Sequence, residues 1–158
     1  MNLLFPAMKK HFPKLNTKAY DFSDVELIAK RERIKLEICR YDPDILGYYC
    51  IRRTPKRKKK FIVINEILDQ TNRTFVGLHE LGHHFLHAPV TNLQWFYCRR
   101  NAKHLVDKHD CEADNLALLA MIPFWMLCEF EGSNHENVQP EFLPLFLKRK
   151  KLWEQWAI

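Results

Sequence analysis

The sequence predicts an α+β domain, a small three-stranded antiparallel sheet packed on helices, and three observations lead there. Ile34, Leu36 and Ile38 alternate with Lys35, Glu37 and Cys39, the two-residue period of a strand with one buried face. Residues 46–51 and 61–64 form two further apolar runs, rich in aromatic and β-branched side chains and separated from the first by the Asp42-Pro43-Asp44 turn. From about Thr71 the pattern changes, and Phe75, Leu78, Leu81 and Leu86 recur near helical spacing until Pro89.

Each remaining element follows from local chemistry. Residues 1–22 carry Pro6 and Pro13 without a steady period and read as an N-terminal arm, packed through Leu3, Leu4, Phe5 and Phe12. Ser23-Asp24-Val25-Glu26 has the spacing of a capping box, so a short helix is expected to about Arg33. A helix over about 105–120 places Ala113, Leu116, Ala117 and Ala120 on one side, and Pro123 stops or kinks it. The last helix, about 141–156 within a C-terminal segment 137–158, turns Phe142, Leu145, Phe146, Leu152, Trp153 and Trp156 toward the core. Its residues 148–151 are basic and suit the helix's negative end.

Composition bounds the function. A chain of 158 residues is one domain's worth, and 47% hydrophobic residues with only 4 glycines exclude disordered and low-complexity classes. The 5 cysteines are odd in number and include no C-x-x-C pair, which argues against a disulfide framework or a zinc ribbon and for a reducing compartment. The N-terminal lysines follow the apolar stretch, the reverse of a secretory signal, and the longest apolar run falls short of the ~20 residues of a spanning helix. A cytoplasmic protein with no membrane contact is expected. A net charge of +6 permits an acidic partner without requiring one, and the basic run Lys56 to Lys60 reads first as a solvated hairpin tip.

The chemistry concentrates at His79-Glu80-Leu81-Gly82-His83, an H-E-x-x-H sequence inside the most strongly helical segment. In an α-helix His79 and His83 differ by only ~40° around the axis and ~6 Å along it, so both imidazoles can reach one tetrahedral ion. Glu80 lies about 100° around from His79, beside the metal-facing stripe, and is the candidate general base. His84, ~140° from His79, cannot share that ion, and His87 lies ~12 Å further along the axis, so both read as structural or as supports behind the ligands.

A third ligand has to come from elsewhere, because Leu86 and Pro89 stand where a metzincin needs glycine and histidine. Asp110-Cys111-Glu112-Ala113-Asp114 opens the next helix and offers three acids. Glu112 is the expected ligand, because it shares its stripe with Leu116 and Leu119, an apolar face that a free carboxylate avoids. Asp110 and Asp114 are the alternatives, their default role being favourable charge in a helix's first turns. His104 and His109 could approach the open site as stabilisers of a developing oxyanion. Cys111 reads as a small buried thiol.

Over about residues 24–130 the chain resembles the ImmA/IrrE metallopeptidases, gluzincin-like zincin domains of bacteria, phages and mobile elements. The resemblance rests on Ile62-Val63-Ile64-Asn65, Arg73-Thr74-Phe75, the run His79 to Leu86, and Glu112-Ala113-Asp114-Asn115-Leu116-Ala117 followed by Leu118 to Pro123. It implies a minimal metallopeptidase with His79, His83 and Glu112 on the metal and Glu80 activating water. Leu116 stands where the family usually has phenylalanine.

The expected function is therefore a zinc-dependent endopeptidase, with manganese or another first-row ion tolerated, acting on a separate helix-turn-helix repressor to relieve transcriptional silencing. The strand over residues 61–64, taken as a sheet edge, would hold the extended substrate. Residues Lys56 to Lys60 could add weak attraction to DNA. The alternatives are a catalytically silent metal-containing regulatory module and a basic nucleic-acid-associated protein.

Overall fold

The structure, a computed structural model, describes residues 4–91, 95–99, 107–133 and 138–157. In chain order it comprises α1 (Leu4–His11), α2 (Phe22–Arg31), β1 (Ile34–Cys39), β2 (Ile45–Thr54), β3 (Arg57–Asn65), α3 (Gln70–Gly82), a π-helical turn (His83–His87), β4 (Trp95–Arg99), α4 (Lys108–Met121), α5 (Phe124–Glu131) and α6 (Leu143–Trp156). The α+β class holds. No single helix among the described residues is long and apolar enough to cross a membrane.

The sheet has four strands in the order β1-β3-β2-β4, and it is mixed rather than antiparallel. β2 and β3 form the expected hairpin, with Thr54 opposite Arg57 across the turn that carries Pro55 and Lys56. That hairpin places β2 on the far side of β3 from β1, so β1 and β3 run parallel, Ile34 opposite Lys60 through Cys39 opposite Asn65. The two-residue period marks a strand but says nothing of its neighbours, and the three-stranded antiparallel expectation fails for that reason. It also places residues 61–64 in the interior of the sheet, so β3 cannot be the substrate-binding edge. The edges are β1 and β4.

β4 escaped the sequence reading because its five residues are too short to establish a period alone. In the sheet it alternates cleanly, Phe96 and Cys98 buried and Trp95, Tyr97 and Arg99 exposed, and it pairs antiparallel with β2. One buried face of β2, β3 and β4 packs on α3, while Cys50 and Val63 are buried on the other. One cluster there joins Tyr49, Ile62, Ile64, Phe96 and Cys98 to Val76, Leu78 and Leu81, and continues through Leu116 and Leu119 to Leu145, Phe146 and Leu152.

Several boundaries shift. α2 starts two residues early: Asp21 is the N-cap, accepting from the Asp24 amide at 3.0 Å, and Asp24 closes the capping box by accepting from the Asp21 amide at 3.1 Å. The earlier start carries Phe22 into the helix, where it is buried with Val25, Ile28 and Ala29. The N-terminal arm contains α1, whose Pro6 sits in the first turn, where its missing N–H costs nothing. Phe12 follows it into the core.

In α6, Trp153 is 39% exposed rather than inward, and Arg149 takes a fully buried place instead. Its Nε donates to the Ile122 carbonyl at 3.0 Å and its Nη2 to Asn16 Oδ1 at 2.8 Å, tying α6 to the end of α4 and to the arm. Burial pulls its pKa down to about 10, still charged at neutral pH.

The approach of β2 to α3 depends on a residue without a side chain. A Cβ at Gly47 would lie 2.5 Å from Val76 Cγ1, 2.9 Å from the Val63 carbonyl oxygen and 3.6 Å from Glu80 Oε1. The carbonyl belongs to the ladder and cannot move away. Gly47→Ala is therefore expected to lower stability by about 1–3 kcal/mol, read as a lower urea midpoint at unchanged m-value.

Candidate metal centre

α3 begins at a clear signal: Asp69 caps it, accepting from the Asn72 amide at 2.8 Å. Its last turns carry His79 and Glu80, and the π-helical turn continues with His83, His84 and His87. The turn is closed by a five-residue hydrogen bond from the Ala88 amide to the His83 carbonyl at 2.8 Å. A π turn holds nearly one residue more than an α turn, so four residues fall somewhat short of a full turn there and undo the overshoot of the α turn before it. His87 consequently falls in line with His83, their Nδ1 atoms 3.0 Å apart, instead of drifting around the helix.

His79 and His83 present their Nε2 atoms to each other at 3.0 Å, and both side chains are buried. Their outer nitrogens are tied down. His79 Nδ1 donates to Asp114 Oδ1 at 2.8 Å. On the other side, His87 Nε2 donates to Glu112 Oε2 at 3.1 Å, so His87 Nδ1 accepts from His83 Nδ1. With both rings neutral, these bonds turn a lone pair of each Nε2 toward the other, and such a pair needs a cation between them: a proton on one Nε2, which the raised pKa of His79 favours, or a metal ion, which neutral imidazoles oriented from behind are suited to ligate.

The acid that reaches the pair is Asp110, whose Oδ1 lies 3.4 Å from His83 Nε2. His79, His83 and Asp110 present ligand atoms all within 4.8 Å of one another, a set suited to one divalent ion. Glu112, the expected ligand, instead stands behind His87. The reason is the phase of α4. Its stripe of small residues, Ala113 and Ala117, faces α3 and carries Asp110 and Asp114 with it, whereas the stripe of Leu116 and Leu119 places Glu112 about half a turn away. The signal was present: a glycine in one helix and alanines every fourth residue in the other mark a close helix pair.

Glu80 is fully buried between the imidazoles and the sheet, and neither of its oxygens has a hydrogen-bond partner among the described residues. Burial raises its pKa to about 8, against the pull of His79 and of the Tyr49 and Cys98 amides, which point toward it without reaching bonding geometry. An orphaned buried carboxylate beside two converging lone pairs fits a site that takes a cation and its water. His79 is raised: burial pushes its pKa down, but the Asp114 hydrogen bond and the charges of Glu80 and Asp110 outweigh it. His83 falls to about 4, chiefly through burial.

β4 walls the site, with Phe96 stacked on the His83 ring at 4.6 Å. His84 faces away, accepting or donating with the Tyr49 hydroxyl at 3.0 Å, as its phase on the helix requires. His109 bonds its own cap, Asp107, at 3.1 Å and packs on His87 at 4.6 Å, one ring removed from the imidazole pair. His104 lies outside the described residues. Cys111 is exposed rather than buried.

The family model of the IrrE N-terminal-like domain (Peptidase_M78) matches residues 29–121, a span that runs from α2 to the end of α4 and includes every residue of this centre. A curated relative, "Uncharacterized immunity region protein 2" of Bacillus phage phi105, is 34% identical over 90 residues, 57% of this chain and 52% of the relative. The chain thus spans about half the length of the curated relative it matches.

Gly82 sets how closely α4 can approach. A Cβ there would lie 3.0 Å from Ala113 Cα and 3.1 Å from Ala113 Cβ. Alanine gains about 1 kcal/mol of helix propensity to set against that crowding, but a leucine has no room. Gly82→Leu is expected to cost about 1–3 kcal/mol of stability, measured by thermal denaturation.

Proposed function

The chain belongs to the IrrE N-terminal-like peptidase family, and on that premise we propose that it is a metal-dependent endopeptidase whose ion is held by His79, His83 and Asp110. The observation that carries this reading is the pair of buried Nε2 atoms confronting each other beside a fully buried, unpartnered carboxylate. Two imidazoles and one carboxylate favour zinc and tolerate other first-row ions such as manganese. A bound divalent ion would supply polarisation of the scissile carbonyl and a lowered pKa for water.

The chain's own groups do the rest. Glu80 takes the proton of the attacking water and returns it to the leaving amine, and its burial, which favours the protonated form, suits the return step. Asp114 fixes the His79 ring, and the Glu112–His87 pair fixes His83, so both imidazoles keep their tautomer through the cycle. The exposed edge of β4 can accept an extended peptide as a further strand, next to Phe96 and the histidines. Phe96 and Tyr49 exclude bulk water from that side.

The substrate we propose is a DNA-binding repressor of the helix-turn-helix type, whose cleavage relieves transcriptional silencing. The immunity-region name of the phage relative supports that class of target. A net charge of +6 disfavours a free basic repressor and favours one already on DNA, where the basic run Lys56 to Lys60, from the hairpin turn into β3, can add phosphate attraction. A metal-containing regulatory module that cleaves nothing is the competing reading, and one substitution separates the two.

Glu80→Gln keeps the shape and removes the base. Cleavage of the cognate repressor should fall by at least on the order of a hundredfold while bound metal is retained. Full biological activity in that variant would favour the regulatory module.

The ligand set has its own test in chelator competition. Asp110→Asn is expected to weaken metal binding by on the order of a hundredfold, and Glu112→Gln, which acts only through His87, by about tenfold or less. The opposite ranking would return Glu112 to the ion.

A further inference from the structure

Of the five cysteines, Cys98 borders both the apolar core and the titratable groups of the centre. It projects from β4 on the buried face, two residues from Phe96. Its sulfur forms a second ligand set with His79 and Glu80, all within 4.8 Å of one another and all buried. That set shares His79 with the first, His79, His83 and Asp110. Burial first, and then the charges of Glu80, Asp114 and Asp110, push its thiol pKa up.

The second observation is Glu80 itself. It is fully buried, both oxygens lack a partner among the described residues, and one of them lies within 4.8 Å of the Cys98 sulfur. In the reading above, the water that Glu80 activates belongs beside it.

Resting on the proposed metal centre, we propose that Cys98 is a displaceable fourth ligand, its thiolate holding the ion held by His79 in the place the reactive water must take. Two imidazoles, one carboxylate and one thiolate complete a tetrahedron, so the resting centre is closed and Glu80 has nothing to deprotonate. Opening is a ligand exchange without electron transfer. The metal–sulfur bond breaks, water fills the vacated position, and its proton goes to the sulfur, with Glu80 the carboxyl group between them. Cys98 lies on the strand whose edge is offered to substrate, so strand addition can move it. A thiolate ligand also biases the centre toward zinc or cobalt and away from manganese.

The test is cobalt(II) substitution of the full chain at one equivalent, followed by absorption spectroscopy. Visible ligand-field bands report that the centre binds metal at all, and a near-ultraviolet sulfur-to-cobalt charge-transfer band reports the thiolate. The expected result is both sets of bands in the parent protein, with the charge-transfer band lost and the visible bands kept in Cys98→Ser. Visible bands without the charge-transfer band overturn the inference and leave the metal centre standing. No bands of either kind overturn both. Cys111→Ser, next to Asp110 but exposed, serves as the control, and loss of the band there but not in Cys98→Ser also overturns the inference. Should Cys98→Ser fail to fold, the parent spectrum and Cys98→Ala still decide it.

Discussion

The contact on which the centre depends is the one between Gly82 of α3 and Ala113 of α4, where a Cβ on the glycine would stand 3.0 Å from the opposing backbone. Helices normally pack with 8–10 Å between axes, the distance being set by the side chains at the crossing. With a glycine facing an alanine, the short side chains of Asp110 and Asp114 can reach His83 and His79 directly. A bulkier pair would have required longer acids. That the sequence supplies aspartates on this face and a glutamate on the next follows from the same spacing.

Around that contact the polar groups form a directional arrangement. Carboxylates lie behind the imidazoles, Asp114 behind His79 and Glu112 behind His87 and so behind His83, and lone pairs lie in front. Burial keeps His83 neutral, with its pKa near 4, and holds Glu80 poised near 8. An apolar core could bury these groups only at a large cost in free energy. The cost is offset where each outer nitrogen has a partner, and it stays uncompensated at Glu80, whose oxygens have none among the described residues. The hydrogen-bonded side thus orders the cluster, while the unpartnered carboxylate lies on its other side.

Much of this was legible in the chain before any fold. The strand character of β1 and the helical phase of the H-E-x-x-H segment arise within a few residues, and propensity and period report them, although the cap of α2 fell on Asp21 rather than Ser23 and Ile38 stands 42% exposed. What failed failed for non-local reasons. The parallel pairing of β1 with β3 is settled by which strand reaches the middle of the sheet, and β4 has meaning only beside β2. The π turn, which brings His87 into line, adds less than one residue per turn and leaves no mark in an apolar periodicity.

The sequence by itself determined that two imidazoles and a carboxylate share one end of a helix, because 3.6 residues per turn admits no other arrangement for that spacing. It also determined that an acid of α4 would join them. Only the tertiary structure decided which acid. The choice between Asp110 and Glu112 is a rotation of α4 about its own axis, and that rotation is fixed by the small-residue stripe seated against Gly82. Hydrophobicity ranks Leu116 and Leu119 above Ala113 and Ala117 as the face to bury, and both faces are in fact buried. Closeness of approach, which depends on the partner helix, selects the one that brings an acid to the imidazoles.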